Sequence, residues 1–392
     1  MKIAFCVEKY YPNMSGVPVV TAYLAEGLAS EGHDVSVMTK CVEGKEDSEE
    51  RNGVHIKRFR IEYNILRRPI GEVKAYKNAV LHGGYEVLIL ECSQCVTTDA
   101  LLEDFEHISG KLILHSHGFS GLWLKRFEIK RNLYHTIGNT INYYIWKHYY
   151  NHIFNKALCH IDEIVCLSKS DKDYKYLINH GIAPVVVSNC ADDMFFDTNI
   201  TENALAKYLE LEKKYIVSVA NYSEVKNQIK MLNEFYKYCY KIKDDQTEMK
   251  RAMVFVGTSR NAYYKVLLEA QKGYEREYGH QEVYFLTGID RGDIPSIIKG
   301  ADIYIAGSTW EAFSISLIES MAVGTPFIST DVGNAKELPG GVVIERIEMM
   351  HEQIAKIVID NTLHKSLSDK GIRYARENCR IVKAVEAFKE ML

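Results

Sequence analysis

The chain has 392 residues, more than one hydrophobic core usually supports, so we expect two domains of roughly 150–200 residues. Its hydrophobic content of 47% and charged content of 26% are typical of a soluble globular protein, and its net charge of −4 argues against nucleic-acid binding. The sequence has no apolar run of roughly 18 residues and no signal segment, which predicts a cytoplasmic protein.

Short apolar runs alternate with helical periodicity along the whole chain. In the first half, the predicted strands are 2–7, 34–39, 54–59, 86–90, 111–115, 163–167 and 184–188. The predicted helices between them include 17–31, 72–82, 140–158 and 170–180. In the second half, the predicted strands are 215–219, 252–256, 282–286, 302–306, 326–329 and 341–344, and helix is predicted from 350 onward.

This alternation predicts parallel sheets flanked by helices, and two such series predict an α/β protein with two doubly wound, Rossmann-like domains. The polar stretch 188–212 indicates the boundary between them. We therefore expect domains at 1–190 and 191–378, with a C-terminal helix at about 379–392 that packs back onto the first domain. Because such domains bind ligands beyond the carboxyl ends of their strands, two facing domains predict a ligand cleft.

Two glutamates eight positions apart, Glu311 and Glu319, flank a predicted helix N-terminus near Ser314. Free N–H groups and the helix dipole suit a phosphate there. Side chains lean toward a helix N-terminus, so Glu319 can reach a ligand that Glu311 meets from the loop. The pair predicts a site for a phosphorylated, hydroxyl-rich ligand. From this segment alone, two solvated glutamates on an ordinary helix–strand connection are an open alternative.

Gly16 and Lys226 each lie in a predicted strand-to-helix turn, at the edge of a sheet where ligands bind. A glycine there lets the backbone approach a ligand closely, and a lysine can meet a phosphate. Neither residue is specific alone, since Lys226 could equally be a solvated surface lysine.

His115 and His117 end the predicted strand 111–115. Residues i and i+2 on a strand point to opposite faces, so we expect one of the two to face the cleft. We favour His117, because Gly118 marks where the chain leaves the strand. This spacing counts against a two-histidine metal site, and a hydrogen-bonded structural histidine is the alternative.

Together these segments resemble the family-4 retaining glycosyltransferases of GT-B fold over almost the whole chain. Each motif is weak alone, and their shared order along the chain makes the resemblance specific. The matching segments are Ser15-Gly16 after Pro12, Gly32-His-Asp-Val-Ser-Val37, Asp162-Glu-Ile-Val-Cys-Leu-Ser168, Asn189-Cys-Ala-Asp192 with Phe196, Gly288 followed by Ile297–Ile305, and Glu311 to Glu319 as the E-x7-E motif.

The resemblance implies catalytic roles for three residues. Glu311 would contact hydroxyls of the transferred sugar, Lys226 would stabilise charge on the leaving diphosphate, and His117 would contact the donor sugar near its 6-hydroxyl or reacting face. It also implies donor-binding roles for a larger set: Gly16 beside the diphosphate, Asn221 and Lys226 after the strand 215–219, Gly288 in the base loop, the amides of Phe313, Ser314 and Ile315 around the phosphates, and Glu319 at the ribose hydroxyls.

The reaction implied is transfer of a hexose from a nucleotide-diphosphate sugar, with UDP favoured, and with retention of configuration. The acceptor would be a glycan or lipid-linked glycan in bacterial polysaccharide biosynthesis. No carboxylate is an obvious covalent nucleophile, so catalysis would depend on positioning and on charge stabilisation in a front-side displacement. Enzymes of GT-B fold are similar in needing no bound metal, and no metal or other cofactor is expected here.

The sequence departs from the family pattern at several positions. Asn221 stands where the family commonly has an arginine, Ala312 and Ser314 where glycines are frequent, and Cys190 where a glycine is usual. Two alternatives therefore remain open. One is a sugar-nucleotide epimerase or phosphorylase of the same architecture, and the other is a non-catalytic subunit that binds a sugar nucleotide.

Two segments, 56–77 and 121–156, concentrate basic residues, and the second interleaves them with aromatic residues. Basic and aromatic side chains together fit docking on an anionic bilayer. These segments therefore predict a cytoplasmic protein that can attach peripherally to the inner face of the membrane. A solvated basic face over an aromatic core is the alternative.

Overall fold

The computed structural model describes residues 1–12, 16–124, 133–200, 202–242 and 247–392. Within these residues the chain forms two compact units, Met1–Asn189 with Ile381–Leu392, and Cys190–Arg380. Each unit is built on a largely parallel sheet whose strands are connected through helices, so the predicted α/β, doubly wound fold class is confirmed. No helix among the described residues is both long and apolar enough to cross a membrane.

The first unit carries most of the predicted elements and three short strands that were not predicted. Its strands are β1 (Lys2–Cys6), β2 (Asp34–Lys40), β3 (Ser48–Arg51), β4 (Val54–Phe59), β5 (Ile61–Tyr63), β6 (Pro69–Gly71), β7 (Val87–Glu91), β8 (Lys111–His115), β9 (Glu163–Cys166) and β10 (Val185–Val186). Its helices are α1 (Val17–Ser30), α2 (Val73–Leu81), α3 (Val96–Asp99), α4 (Leu133–His148), α5 (Asn155–Ala157) and α6 (Lys172–Asn179).

Eight of these strands form one sheet in the order β10-β9-β8-β7-β1-β2-β4-β3. Only β3 runs antiparallel to its neighbour, and β5 pairs with β6 in a separate hairpin. The central strands β1 and β7 are continuous apolar runs with almost no exposed surface, as expected for parallel strands covered on both faces. The chain order changes direction between β1 and β7, which places the carboxyl ends of both strands at a topological switch point.

The second unit follows the predicted order of elements. Its strands are β11 (Tyr215–Val219), β12 (Ala252–Gly257), β13 (Val283–Thr287), β14 (Ile303–Ala306), β15 (Phe327–Thr330) and β16 (Gly341–Ile344). Its helices are α7 (Gln228–Lys241), α8 (Ala262–Tyr278), α9 (Ile294–Lys299), α10 (Ile315–Val323), α11 (Met350–Ile359) and α12 (Asn361–Asn378).

These strands form a six-stranded, fully parallel sheet in the order β13-β12-β11-β14-β15-β16. The chain first builds outward from β11 to β13 and then returns to build from β14 to β16. The switch point of this sheet therefore lies between β11 and β14, which pair through Ile216 with Ile303 and Val217 with Tyr304. Ligand-binding residues are expected at the carboxyl ends of these two strands.

The last helix, α13 (Ile381–Lys389), belongs to the first unit and packs against α1. Gly27 of α1 makes this close approach possible, because a Cβ there would lie 2.5 Å from Cγ2 of Val385. Lys389 also pairs with Glu31 just beyond α1, at 2.5 Å. The first and last helices of the chain therefore pack together within one unit.

Candidate functional site

Lys226 and Glu311 lie at the switch point of the second unit. Lys226 follows β11 in a short 3₁₀ turn capped by Ser223, and Glu311 follows β14. Their side chains form an ion pair, and Ser308 Oγ donates a hydrogen bond to Glu311 Oε1 at 2.8 Å. The Lys226 side chain retains 30% of its exposure and that of Glu311 retains 16%, so both remain accessible to a ligand.

The two loops are held together by their backbones as well as by the ion pair. The Thr309 amide donates to the Val225 carbonyl at 2.8 Å, which joins the loop after β14 to the loop after β11. The Tyr304 hydroxyl donates to the Val219 carbonyl at 2.9 Å, just inside the sheet. Lys226 and Glu311 line one small pocket together with Ala220, Tyr304, Ser308 and Ser316. The sequence placed Lys226 after a strand and Glu311 before a helix N-terminus, and the structure brings the two into contact.

Glu319 lies on α10, which begins at Ile315 after an extended Ser314. The predicted helix start near Ser314 is therefore confirmed. Glu319 is almost fully buried, and its carboxylate pairs with the guanidinium of Arg291. Burial raises the pKa of Glu319 above its usual range, while the charge of Arg291 opposes that shift. Glu311 and Glu319 thus pair with different cations, Lys226 after β11 and Arg291 after β13.

Arg291 was not identified from the sequence. It follows β13 in the turn that begins at Gly288, whose φ of 75° is favourable for glycine. Its guanidinium also lies 5.0 Å from the centroid of the Phe195 ring. The signal that could have identified it is its position, since it is a cation beyond the carboxyl end of a strand, as Lys226 is.

The helix N-terminus differs from the prediction at one amide. The resemblance implied that the amides of Phe313, Ser314 and Ile315 surround phosphates. The Ser314 amide instead donates a 3.0 Å hydrogen bond to Oδ1 of the buried Asn334. The Ser314 amide therefore already has a hydrogen-bond acceptor within the protein, the side chain of Asn334.

Asn221 follows β11 at the position where the family commonly has an arginine. Its Oδ1 accepts a hydrogen bond from Thr258 Oγ1 at 2.7 Å, and its carbonyl accepts one from Gln228 at 2.9 Å. These contacts tie the ends of β11 and β12 together. Asn221 is exposed, so its amide can also meet a ligand.

Gly16 caps α1 in the first unit with a φ of 67°, and a Cβ at this position would meet nothing within 4 Å. The glycine is therefore explained by its left-handed backbone rather than by a close contact within the unit. Its predicted neighbour Ser15 lies outside the described residues, as do residues 125–132 of the basic segment 121–156.

The prediction that His115 and His117 point to opposite faces is wrong. The strand β8 ends at His115, and His117 has a left-handed φ of 48°, so the alternation of a strand does not extend to it. Both imidazoles meet the Glu91 carboxylate, with Nδ1 of His115 at 3.1 Å and Nε2 of His117 at 2.5 Å from Oε2. Among the described residues, these three form the group whose ligand atoms lie close enough together, within 4.8 Å, to hold a metal ion.

Comparison with known proteins gives a family match within the second unit. Residues 199–376 match the family described as "Glycosyl transferases group 1". The chain is 27% identical over 111 residues to the lipopolysaccharide core biosynthesis mannosyltransferase LpsB of Rhizobium meliloti (strain 1021), which covers 26% of this chain and 32% of LpsB. It is 29% identical over 113 residues to the Escherichia coli UDP-Gal:alpha-D-GlcNAc-diphosphoundecaprenol alpha-1,3-galactosyltransferase, covering 26% of this chain and 27% of that protein.

These two matches therefore span about a third or less of each relative's length. The likeness in structure extends further. The sucrose-phosphate synthase from Thermosynechococcus elongatus superimposes with a TM-score of 0.75 over 100% of this chain and 98% of that chain, at 14% sequence identity. Residues 199–376 therefore match the glycosyl transferases group 1 family, and the chain as a whole has the GT-B fold.

Proposed function

We propose that the protein is a retaining glycosyltransferase that moves a hexose from a nucleotide-diphosphate sugar to a glycan or lipid-linked glycan. The observation that carries this proposal is the contact between Lys226 and Glu311 at the strand switch of the second unit. A cation and a carboxylate held side by side suit a ligand that has a diphosphate next to a sugar. The group 1 match over the same unit supports the same reaction class.

Each residue of the site has a separate task in this reaction. Lys226 stabilises the negative charge that develops on the leaving diphosphate, and Glu311 accepts hydrogen bonds from hydroxyls of the transferred sugar. Glu319 accepts hydrogen bonds from the ribose hydroxyls. The reaction needs no covalent nucleophile, because the leaving phosphate can take the proton of the attacking acceptor hydroxyl. Since Lys226 provides the charge, the proposed reaction also needs no metal ion.

We further propose that the donor is a UDP-sugar and that the acceptor belongs to a bacterial surface glycan. The name of the Escherichia coli relative includes both a UDP-hexose and a lipid diphosphate acceptor, which supports this choice. The mannosyltransferase of lipopolysaccharide core synthesis supports a bacterial glycan as the product.

The deciding experiment is a thermal-shift panel of UDP-, GDP- and ADP-sugars, followed by assays of donor turnover with and without glycan acceptors. A melting shift with UDP-sugars, and transfer that disappears in Glu311→Ala, are expected. Conversion of the donor without an acceptor would indicate an epimerase. If the nucleotide binds and no transfer or hydrolysis occurs, the chain is a binding subunit. The absence of any shift with every nucleotide sugar would contradict the proposal itself.

A second part of the proposal concerns a membrane surface on the first unit. The tip of the β5–β6 hairpin exposes Ile65 fully and Leu66 by 74%. Arg67 at this tip lies over the Trp146 ring of α4, with its guanidinium 4.6 Å from the ring centroid. The tip is therefore held beside α4, on which Ile141 and Ile145 are also exposed.

The charges around this tip favour an anionic lipid surface. Arg67, Arg68 and Lys147 are exposed beside the apolar residues. Arg60 of the same segment is instead paired within the unit, with Asp47 and Glu72. We propose that the apolar hairpin tip and the exposed Ile141 and Ile145 of α4 enter the headgroup region, while the neighbouring cations contact anionic lipids.

Sedimentation with vesicles tests this surface. We expect binding to vesicles that contain phosphatidylglycerol and little binding to pure phosphatidylcholine. Replacing both Ile65 and Leu66 by aspartate should abolish the binding. Val266→Asp is the matched control, because Val266 is a similarly exposed apolar residue of the second unit. Equal binding of the double variant and the wild type would contradict the proposed surface.

A further inference from the structure

Glu91 is a buried carboxylate at the carboxyl end of β7, and the proposed reaction gives it no role. Its side chain has no exposed surface, and the side chains of His115 and His117 retain only 2% and 3% of theirs. A charged group this deeply buried is costly unless it is paired. Its two histidine contacts therefore need an explanation.

The geometry indicates a proton bridge rather than a metal centre. Nε2 of His117 lies 2.5 Å from Glu91 Oε2, in direct hydrogen-bond contact. Two ligands of one zinc ion each lie about 2.0–2.1 Å from the metal and therefore about 3.3 Å from each other in a tetrahedral site. Glu91 and His117 are too close together for that arrangement.

The protonation states agree with this geometry. Burial opposes ionisation of Glu91, but attraction to the imidazoles of His115 and His117 and their hydrogen bonds outweigh it and lower the pKa of Glu91 to about 2. Burial, with repulsion from His115, lowers the pKa of His117 despite the neighbouring carboxylate. Near neutral pH a neutral His117 therefore donates its Nε2–H to an ionised Glu91.

The backbone of His117 also has an uncommon conformation. Its φ of 48° lies in the left-handed region, which non-glycine residues adopt only when the surroundings hold them there. The ring of His115 covers that of His117, with 3.8 Å between the centroids, and the Phe388 ring of α13 lies 5.1 Å from His115. The imidazole is thus fixed by a carboxylate on one nitrogen and by a ring on one face.

We infer that Glu91 is a positioning residue, which fixes His117 in the Nε2–H tautomer and leaves Nδ1 as a hydrogen-bond acceptor for a hydroxyl of the donor sugar. The role of Nδ1 rests on the proposed function, and the tautomer does not. A histidine fixed in this tautomer presents Nδ1 only as an acceptor, so it favours a ligand hydroxyl over a ligand group that cannot donate a hydrogen bond. Misplacing a group that contacts the substrate by about 1 Å can lower the rate about 100-fold, so loss of this contact should lower transfer.

The tautomer is tested on the wild-type protein by ¹⁵N NMR of the histidine rings, with His117→Asn used to assign the signal. We expect a protonated Nε2 and an unprotonated Nδ1 on His117, and a mixed or reversed state in Glu91→Gln. A protonated Nδ1 in the wild type, or an unchanged tautomer in Glu91→Gln, would overturn the inference. So would one equivalent of tightly bound metal that is lost in Glu91→Gln, because the cluster would then be a metal centre.

A double-mutant cycle separates positioning from a general effect on folding. Glu91→Gln should lower transfer about 10- to 100-fold, because His117 would be misplaced, with UDP affinity unchanged within about twofold. In a His117→Ala background, Glu91→Gln should cause no further loss. Equal losses in both backgrounds would overturn the positioning role. If the wild type transfers no sugar from any donor, the proposed function fails, while the NMR measurement still decides the role of Glu91.

Discussion

Lys226 and Glu311 stand 85 positions apart in the chain and form an ion pair across the switch point between β11 and β14. The same Glu311 carboxylate accepts a hydrogen bond from Ser308. Each partner therefore keeps the other in place for a ligand that carries a diphosphate and sugar hydroxyls. Diphosphate oxygens can replace the carboxylate as partners of Lys226, which releases Glu311 to meet the sugar.

Substitutions at these two positions should separate turnover from binding. We expect Glu311→Ala to lower sugar transfer about 100-fold or more with little effect on UDP affinity, because its hydrogen bonds go to the sugar. Lys226→Met should weaken UDP binding at least about 10-fold, since it removes a charge-assisted contact to phosphate. Titration calorimetry with UDP and a transfer assay measure the two effects.

The control for this pair is Lys230→Met, which removes an exposed cation from the first turn of α7. It should change neither quantity by more than about twofold, because exposed single charges contribute little. Transfer that survives in Glu311→Ala would exclude the proposed role of this carboxylate.

The strand pattern could be predicted closely because the central strands are continuous apolar runs between clear turns. The short strands β3, β5 and β6 could not, since Ser48–Arg51 is polar and the other two have three residues each. These strands exist through pairing with a neighbour rather than through local hydrophobic periodicity. The apolar tip of the β5–β6 hairpin was therefore not predicted. The sequence indicated only a basic segment there.

Site residues could be predicted where the order of strands and helices alone determines where they lie. Lys226 was found because it follows a predicted strand, and Glu311 because it precedes a predicted helix N-terminus. Arg291 and Asn334 were missed, because their contacts with Glu319 and Ser314 depend on loop conformation. The error at His117 has the same origin, since one left-handed residue after β8 turned its ring toward Glu91.

Glu319→Gln should weaken UDP binding and raise the melting temperature of the protein. Burial raises the pKa of Glu319, so the ionised side chain is disfavoured in the folded state above that pKa. We expect the variant to melt higher than the wild type at pH 7, on the order of 2–4 °C, and to bind UDP at least about 10-fold more weakly. The difference in melting temperature should shrink as the pH falls, because Glu319 then becomes protonated in the wild type.

Melting curves at pH 7 and pH 5, with and without UDP, measure both effects. The matched control is Glu348→Gln, which changes an exposed glutamate of the same unit. A variant that is less stable at pH 7 and binds UDP normally would show that Glu319 is a structural ion-pair partner of Arg291 alone.

Asp99 should make the stability of the first unit depend on pH. Burial raises the pKa of Asp99 to about 6, although Tyr149 and Tyr63 donate hydrogen bonds to it at 2.6 and 2.5 Å. The folded chain thus holds a proton that the unfolded chain releases at its usual, lower pKa. Asp99 therefore contributes on the order of 3 kcal/mol to the free energy of unfolding below about pH 4, and this contribution is lost as the pH rises through about 6.

Asp99→Asn should remove the pH-dependent contribution of Asp99. The free energy of unfolding of the wild type minus that of the variant should therefore change between about pH 4 and 6 and be constant above about pH 7. Urea unfolding at several pH values measures it. Asp369→Asn, at a half-exposed position on α12, should leave the pH profile of the wild type intact. A parallel profile for Asp99→Asn would mean that Asp99 is ionised throughout this range.

Gly27→Ala should destabilise the first unit, although alanine is normally the better helix residue. The added Cβ would lie 2.5 Å from Cγ2 of Val385, so α1 and α13 would have to move apart, at a cost of about 1–3 kcal/mol. Val385→Ala in the same chain should recover part of this loss, because it removes the atoms that clash. Gly273→Ala on α8 is the control, since its Cβ would meet nothing within 4 Å and should stabilise by about 0.4–1 kcal/mol. Should Gly27→Ala stabilise as much as Gly273→Ala, α13 cannot pack on α1 as described.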